Sequence, residues 1–165
     1  MLLLAALVMF AGEAVMARED AIRPLSAFPR EPLVIETRSA RRHLFEAWRA
    51  DTAATRSQGL MFVEKLPADR AMIFVYPTEQ IVGMWMKNTL IPLDMLFVDG
   101  GGCIVKVHEA AQPGSLTTIW SRVPVMLVVE LAGGTAKTLG ISAGDRTLRP
   151  DAGWPAVAAP CTPTR

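Results

Sequence analysis

The sequence predicts a mainly β, single-domain protein, a β-sandwich or small barrel with two short helices. Three observations carry that expectation. Seven to nine apolar runs of strand length recur along the chain, separated by turn residues at close spacing. Twelve Gly and twelve Pro in 165 residues favour turns over a helical bundle. No regular strand–helix alternation is present, which argues against a doubly wound parallel sheet. The length suits one domain, and 51% hydrophobic residues exclude disorder over most of it.

Residues 2–11 (LLLAALVMFA) form an apolar stretch too short for a bilayer span, which takes roughly 20 residues. Val15 and Ala17 then occupy the small-residue positions of a cleavage site. Residues 1–17 therefore read as a signal peptide, although no Lys or Arg precedes the apolar run; the alternatives are an uncleaved anchor or a buried N-terminal strand. The expected localisation is periplasmic or secreted, with no transmembrane span in the mature chain. Residues 18–30, charged and Pro-containing, read as a linker. The β domain then occupies 31–149, and 150–165 is an irregular tail rich in Pro and Ala.

Within the domain, 31–37 (EPLVIET) and 43–49 (HLFEAWR) read as a first hairpin. Thr52 can cap a helix over 53–58, with Gly59 as its left-handed stop. Thr55 stands where Glu or Gln would complete a capping box, so the box is expected to be incomplete. Residues 71–76 (AMIFVY) read as a buried strand ended by Pro77, and 81–90 (IVGMWMKNTL) as a strand with Gly83 at a bulge. Strands at 95–98 and 103–107 flank the turn Asp99-Gly100-Gly101-Gly102. Residues 123–131 (VPVMLVVEL) form a long core strand. Gly133 and Gly134 lead into a short helix at 135–139 stopped by Gly140, and 146–149 is the last strand.

The blocks GLMFVEKLPADRAMIF, MWMKNTLIPLDMLFVD and VVELAGGTAKTLGISAGD resemble the family catalogued as domain of unknown function 192. The resemblance runs over about residues 32–149, and its most specific part is Trp85 to Asp94. It implies a mainly β, jelly-roll-like domain, often exported, with no established activity. The chain departs from the family pattern at Val63, where a basic residue is usual, and at Ala71, where Gly is usual.

Few residues carry chemistry. Lys plus Arg is 17 and Asp plus Glu is 16, a formal net charge of +1, which argues against a nucleic-acid partner. His43 and His108 lie in no metal motif, and Cys103 and Cys161 lack C-x-x-C spacing, so no metal and no cofactor are expected. An exported protein permits a Cys103–Cys161 disulfide, but with Cys103 in a strand and Cys161 in a loose tail the two thiols are expected to be free. Ser115 and Ser121 lie outside any Gly-x-Ser-x-Gly setting. Gly100 to Gly102 joins two strands, whereas a phosphate loop opens a helix. Nine Met read as adaptable core packing; a copper site would need Met84 and Met86 exposed side by side.

Lys87, Asn88 and Asp94 interrupt an apolar stretch, where an unpaired buried charge is costly. A bend at Ile91-Pro92 can bring Lys87 to Asp94, and Asp94 is expected to be largely buried and to accept hydrogen bonds from Lys87, Arg56 or nearby backbone N–H groups. The result is either a structural ion pair or the polar floor of a groove walled by Trp85 or Met86. Arg56, on the first helix, is either solvated or reaches Asp94 or a ligand carboxylate. Glu130 is either exposed at an edge or paired with a buried cation. The candidate ligand-binding residues are thus Arg56, Trp85, Lys87, Asn88 and Asp94, with no catalytic set. The expected function is an exported, non-enzymatic binding module for a small polar ligand, a sugar or a peptide segment. The alternative is a hydrolase or lyase using Asp94 with Lys87 or Arg56.

Overall fold

Alternate burial, with Leu33 and Ile35 turned inward and Pro32, Val34 and Glu36 left partly or fully exposed, marks the first strand, β1 (Arg30–Glu36). It pairs antiparallel with β2 (Arg42–Ala50), Leu33 opposite Phe45, which is the expected hairpin. The computed structural model describes residues 22–148 and Cys161, so the expected signal peptide and nearly all of the tail lie outside the described residues. Of the segment read as a linker, 22–30 is described, and Phe28 within it is buried in the core.

Helix α1 (Ala53–Gln58) begins at Thr52, whose hydroxyl accepts from the Thr55 N–H at 3.1 Å while the Thr55 hydroxyl accepts from the Thr52 N–H at 3.0 Å. The capping box is therefore complete, contrary to expectation. A threonine hydroxyl reaches as far as the box requires, so Glu or Gln is not needed. Gly59 ends the helix at φ +51°, and a Cβ there would lie 3.0 Å from the Phe74 ring.

The connection through α1 lets β3 (Arg70–Gln80) run parallel to β2, with Glu46 opposite Arg70 and Ala50 opposite Phe74. Pro77 does not end this strand. It falls where the pairing with the strand at 125–132 shifts register, between Val75 and Gln80, so no ladder N–H is demanded of it. The segment 81–90 is a further correction. Val82, Met84 and Met86 do alternate inward with strand periodicity. Yet only β4 (Gly83–Met84) is paired, with the equally short β7 (Ile119–Trp120). Beyond it the Met86 N–H donates to the Ser115 carbonyl at 3.0 Å, and Asn88 takes a left-handed φ of 56°. A loop rather than a sheet satisfies this backbone.

The remaining elements are β5 (Leu93–Val98), β6 (Ile104–Ala111), β8 (Val125–Ala132), α2 (Thr135–Leu139) and β9 (Arg146–Leu148). Among the described residues, seven strands form one curled sheet in the order β6-β5-β8-β3-β2-β1-β9. Its two edges meet where Cys103 bridges Arg146 and the Ile104 N–H donates to the Asp145 carbonyl at 2.8 Å. The sheet is thus a half-barrel rather than a sandwich. One face carries Leu33, Ile35, Phe45, Ile73, Leu96 and Val129, covered by Ala136 of α2 and by Ile141. The other carries Met72, Phe74, Met95, Phe97 and Val128, covered by Leu60, Leu66, Val82, Met84 and Met86 from the long connections. No described helix is long and apolar enough to cross a membrane.

The expectation of free thiols is also corrected: Cys103 and Cys161 form a disulfide. Cys103 sits at the seam between the sheet edges, and Cys161 lies against Arg146 on the opposite side of that seam, with Cα atoms 5.5 Å apart. The bond closes a loop between residues 58 apart. Replacing Cys161 with Ser is expected to lower the unfolding free energy by about 3 kcal/mol. The comparison is a pair of urea unfolding curves, with and without the substitution. Coincident midpoints would show that the seam holds without its covalent link.

Candidate functional site

The site is built on the face bearing Met72 and Met95. Glu130 of β8 lies opposite Met72 of β3 on one side and opposite Met95 of β5 on the other. Its side chain is 3% exposed, and its Oε2 has no hydrogen-bond partner among the described residues. Burial pushes its carboxyl up to about 8, so at neutral pH it holds its proton. Neither sequence alternative for Glu130 is met: it is not at an exposed edge, and no cation pairs with it within salt-bridge distance among the described residues.

Helix α1 brings Arg56 to the same cleft. Its Nη1 donates to the carbonyls of Asp51 and Val75, and its guanidinium lies 5.0 Å from the centre of the Tyr76 ring. The Tyr76 hydroxyl is raised above its ordinary value, first by burial; nearby Arg56 lowers it and Glu130 raises it. The segment after β4 supplies Trp85, half-exposed, with the Lys87 ammonium 5.4 Å from its ring centre. Together these groups line a cleft of about 360 Å³, whose apolar walls include Met61, Phe74 and Met84.

Three of the five sequence candidates, Arg56, Trp85 and Lys87, therefore meet in one place. Asn88 stands behind the rim. Its carbonyl accepts from the Phe62 N–H at 2.9 Å, and its amide donates to Met61 Sδ at 3.9 Å, so it props the wall. Asp94 is elsewhere. Adjacent strand residues point to opposite faces, so Asp94 faces away from its neighbour Met95 and from Glu130. It is fully buried, with Oδ1 accepting from the N–H groups of Ala110 at 2.8 Å and Gly134 at 3.0 Å, and Oδ2 from Ala136 at 2.8 Å.

The Lys87–Asp94 pair thus does not form, nor does Arg56 reach Asp94, and a reaction using Asp94 with either has no geometric basis. The work Asp94 does is structural. Gly134 caps α2 without a side chain, and Asp94 supplies the missing acceptor. It also holds Ala110 at φ 47°, where β6 bulges between the pairs Leu93–Ala111 and Met95–His108.

A second hollow of about 330 Å³ lies beside β1 and β2, lined by Arg30, Leu44 and Glu46 among others. Its Arg30 and Glu46 are already paired at 2.9 Å, so it offers a ligand little unspent charge. Met84 and Met86 are buried in the core. Among the described residues no three His, Cys, Asp or Glu side chains come together as a metal site. Glu130 was the residue the sequence analysis left out of the candidate set. Its signal was a single acid inside VMLVVELA, a run apolar on both faces, where a charge has no exposed side to take.

Residues 34–148 match the sequence profile of domain of unknown function 192, described as uncharacterized ACR. None of the curated proteins shows significant similarity to the chain. Among solved structures, a protein of Sinorhizobium meliloti 1021 described as a candidate transcription regulator is 42% identical. That likeness covers 74% of this chain and 95% of that one, with a TM-score of 0.73. A protein of unknown function from Novosphingobium aromaticivorans DSM 12444 is 34% identical, covering 78% and 91% respectively, also with a TM-score of 0.73.

Proposed function

The chain belongs to the domain of unknown function 192 family, and within that uncharacterised family we propose that it is an exported, non-enzymatic binding module for a small polar ligand such as a sugar or a peptide segment. The observation that carries the reading is the unpartnered Glu130 oxygen on the wall of a cleft that also holds Arg56, Lys87 and Trp85. A buried polar atom without a partner costs about 1–3 kcal/mol, which a ligand hydroxyl or amide recovers on binding. The hydroxyls in the lining belong to no hydrogen-bonded nucleophile–base pair among the described residues: Thr89 donates to the Lys87 carbonyl, Tyr76 donates to Met84 Sδ at 3.9 Å, and Ser57 has no such partner. The disulfide supports export, because such bonds persist in oxidising compartments. The leader-like residues 1–17 point the same way. The role named for the Sinorhizobium protein finds less support here: α1 and α2 have only six and five residues, short for a helix that reads a DNA groove.

Isothermal titration with neutral monosaccharides, organic acids and short peptides tests the reading. At least one class is expected to bind saturably and to lose about tenfold or more in affinity on Arg56→Ala, the loss of a charged hydrogen bond. No binding by any class overturns it. Export is tested by fractionation: a periplasmic or secreted protein beginning at Arg18 is expected, and a cytoplasmic one retaining Met1 overturns that part.

A further inference from the structure

Resting on that binding reading, we propose that the ligand is a small hydroxycarboxylate, its carboxylate held by Arg56 and Lys87 and its hydroxyl against the carboxyl of Glu130. Charge comes first. The cleft is lined by two cations, and its one acid lies fully buried with no ion pair among the described residues. An anionic group is what such a lining lacks.

Arg56 is the better placed of the two cations. Its Nη1 is occupied by the Asp51 and Val75 carbonyls, and its face lies over Tyr76, so the guanidinium is held before a ligand arrives. Nε and Nη2 make no hydrogen bond among the described residues, and that pair of donors matches the two oxygens of a carboxylate. Preorganisation of this kind reduces the ordering cost of binding. Lys87 adds a second positive charge from the Trp85 side of the cleft.

Glu130 sets the second requirement. A protonated carboxyl offers one donor and one acceptor, and a hydroxyl offers both in return. An ammonium has no acceptor for the carboxyl proton, and a carboxylate has no donor for the other carboxyl oxygen. The cleft's 360 Å³ sits at the lower end of the roughly 300–1,000 Å³ of small-molecule sites, so the ligand is small. The carbon skeleton finds Met61, Met84 and the half-exposed Trp85.

Of the titratable and charged groups that line the cleft with Glu130, Tyr76 from β3 interacts with it electrostatically; Arg56 from α1 and Lys87 from the segment after β4 line the same cleft, and Met72 and Met95 flank it on β3 and β5. Tyr76 is raised and so stays neutral well past pH 8. Ionisation of Glu130 near pH 8 therefore puts a negative charge beside a bound anion.

The experiment is isothermal titration of the full chain with L-lactate, propionate and L-alanine, which differ only in the group on C2, and with D-galacturonate and D-galactose. Lactate or galacturonate is expected to bind at least tenfold more tightly than propionate, alanine or galactose. The open-chain and ring acids show which form of the shared chemistry the cleft takes. Affinity for the better acid is expected to fall about tenfold between pH 7 and pH 9, as the protonated fraction of Glu130 falls. Glu130→Gln should keep the fold and flatten that dependence. Alanine, galactose or a neutral tripeptide binding as well as the hydroxy acids overturns the hydroxycarboxylate assignment while leaving a binding module. Affinity for the acid that rises with pH overturns it too. No binding by any probe, tripeptides included, overturns both.

Discussion

Asp94→Ala is expected to lower the unfolding free energy by about 3–5 kcal/mol. The carboxylate is fully buried and answers three backbone donors, at Ala110, Gly134 and Ala136. These belong to the bulge of β6, the turn after β8 and the first turn of α2, none of which has another acceptor in reach among the described residues. Each donor left bare costs about 1–3 kcal/mol, and water entering the vacated space returns part of the sum. Asp94→Asn should fall between the two, since an amide keeps one accepting oxygen and turns an NH2 toward a remaining donor. Urea unfolding followed by far-UV circular dichroism measures both. A loss below about 1 kcal/mol for the alanine variant would mean that the bulge and the helix start hold themselves.

The second large effect lies in the pH dependence of stability. Glu130 rises from an unfolded value of 4.5 to about 8 through burial. The folded chain therefore binds more protons than the unfolded chain between those values, and stability falls as pH rises through that window. The contribution is fully present below 4.5 and is lost by the time pH passes 8. At about 1.4 kcal/mol per unit the total comes to at most about 5 kcal/mol. Glu130→Gln removes the proton exchange. Its urea midpoint is expected to match that of the parent chain near pH 4, to exceed it increasingly up to about pH 8, and to keep a constant lead above that. Two parallel pH profiles would show that Glu130 ionises as an ordinary carboxyl.

Both effects arise from acids on neighbouring strands. Asp94 stands beside Met95, which pairs with Glu130, yet one acid accepts from three backbone donors while the Oε2 of the other has no partner among the described residues. Sequence patterning reaches part of this. The hairpin at 31–49, the helices at 53–58 and 135–139, and the strands around Asp99 to Gly102 all follow from local signals that the structure keeps. That Asp94 would be buried and accept hydrogen bonds was legible from the apolar residues around it. Its partners were not, because they come from residues 16 to 42 positions away. The same limit explains Lys87, which finds the Trp85 ring two residues back instead of Asp94.

Segment 81–90 misled in a different way. Its inward alternation is genuine, but periodicity reports which side chains are buried and says nothing about where the backbone hydrogen bonds go. Cys161 misled because a tail without periodic pattern gives no sign that it returns to the seam. Of the cleft, Arg56, Trp85 and Lys87 were named from charge and aromatic chemistry alone. Glu130 entered only when β3 and β5 were seen on either side of β8.

That strand order has a bearing on synthesis. Strand β8 lies between β5 and β3, so the unit β1-β2-β3 and the hairpin β5-β6 share no sheet pairing until residues 125–132 exist. A chain emerging N-terminus first therefore carries β1-β2-β3 with an open inner edge from residue 80 until β8 is made, joined by the equally open β5-β6 hairpin from residue 111 onward. Such edges invite chaperones or aggregation. They also leave the nascent chain unable to complete its fold early, a state that an export channel for unfolded polypeptides can use.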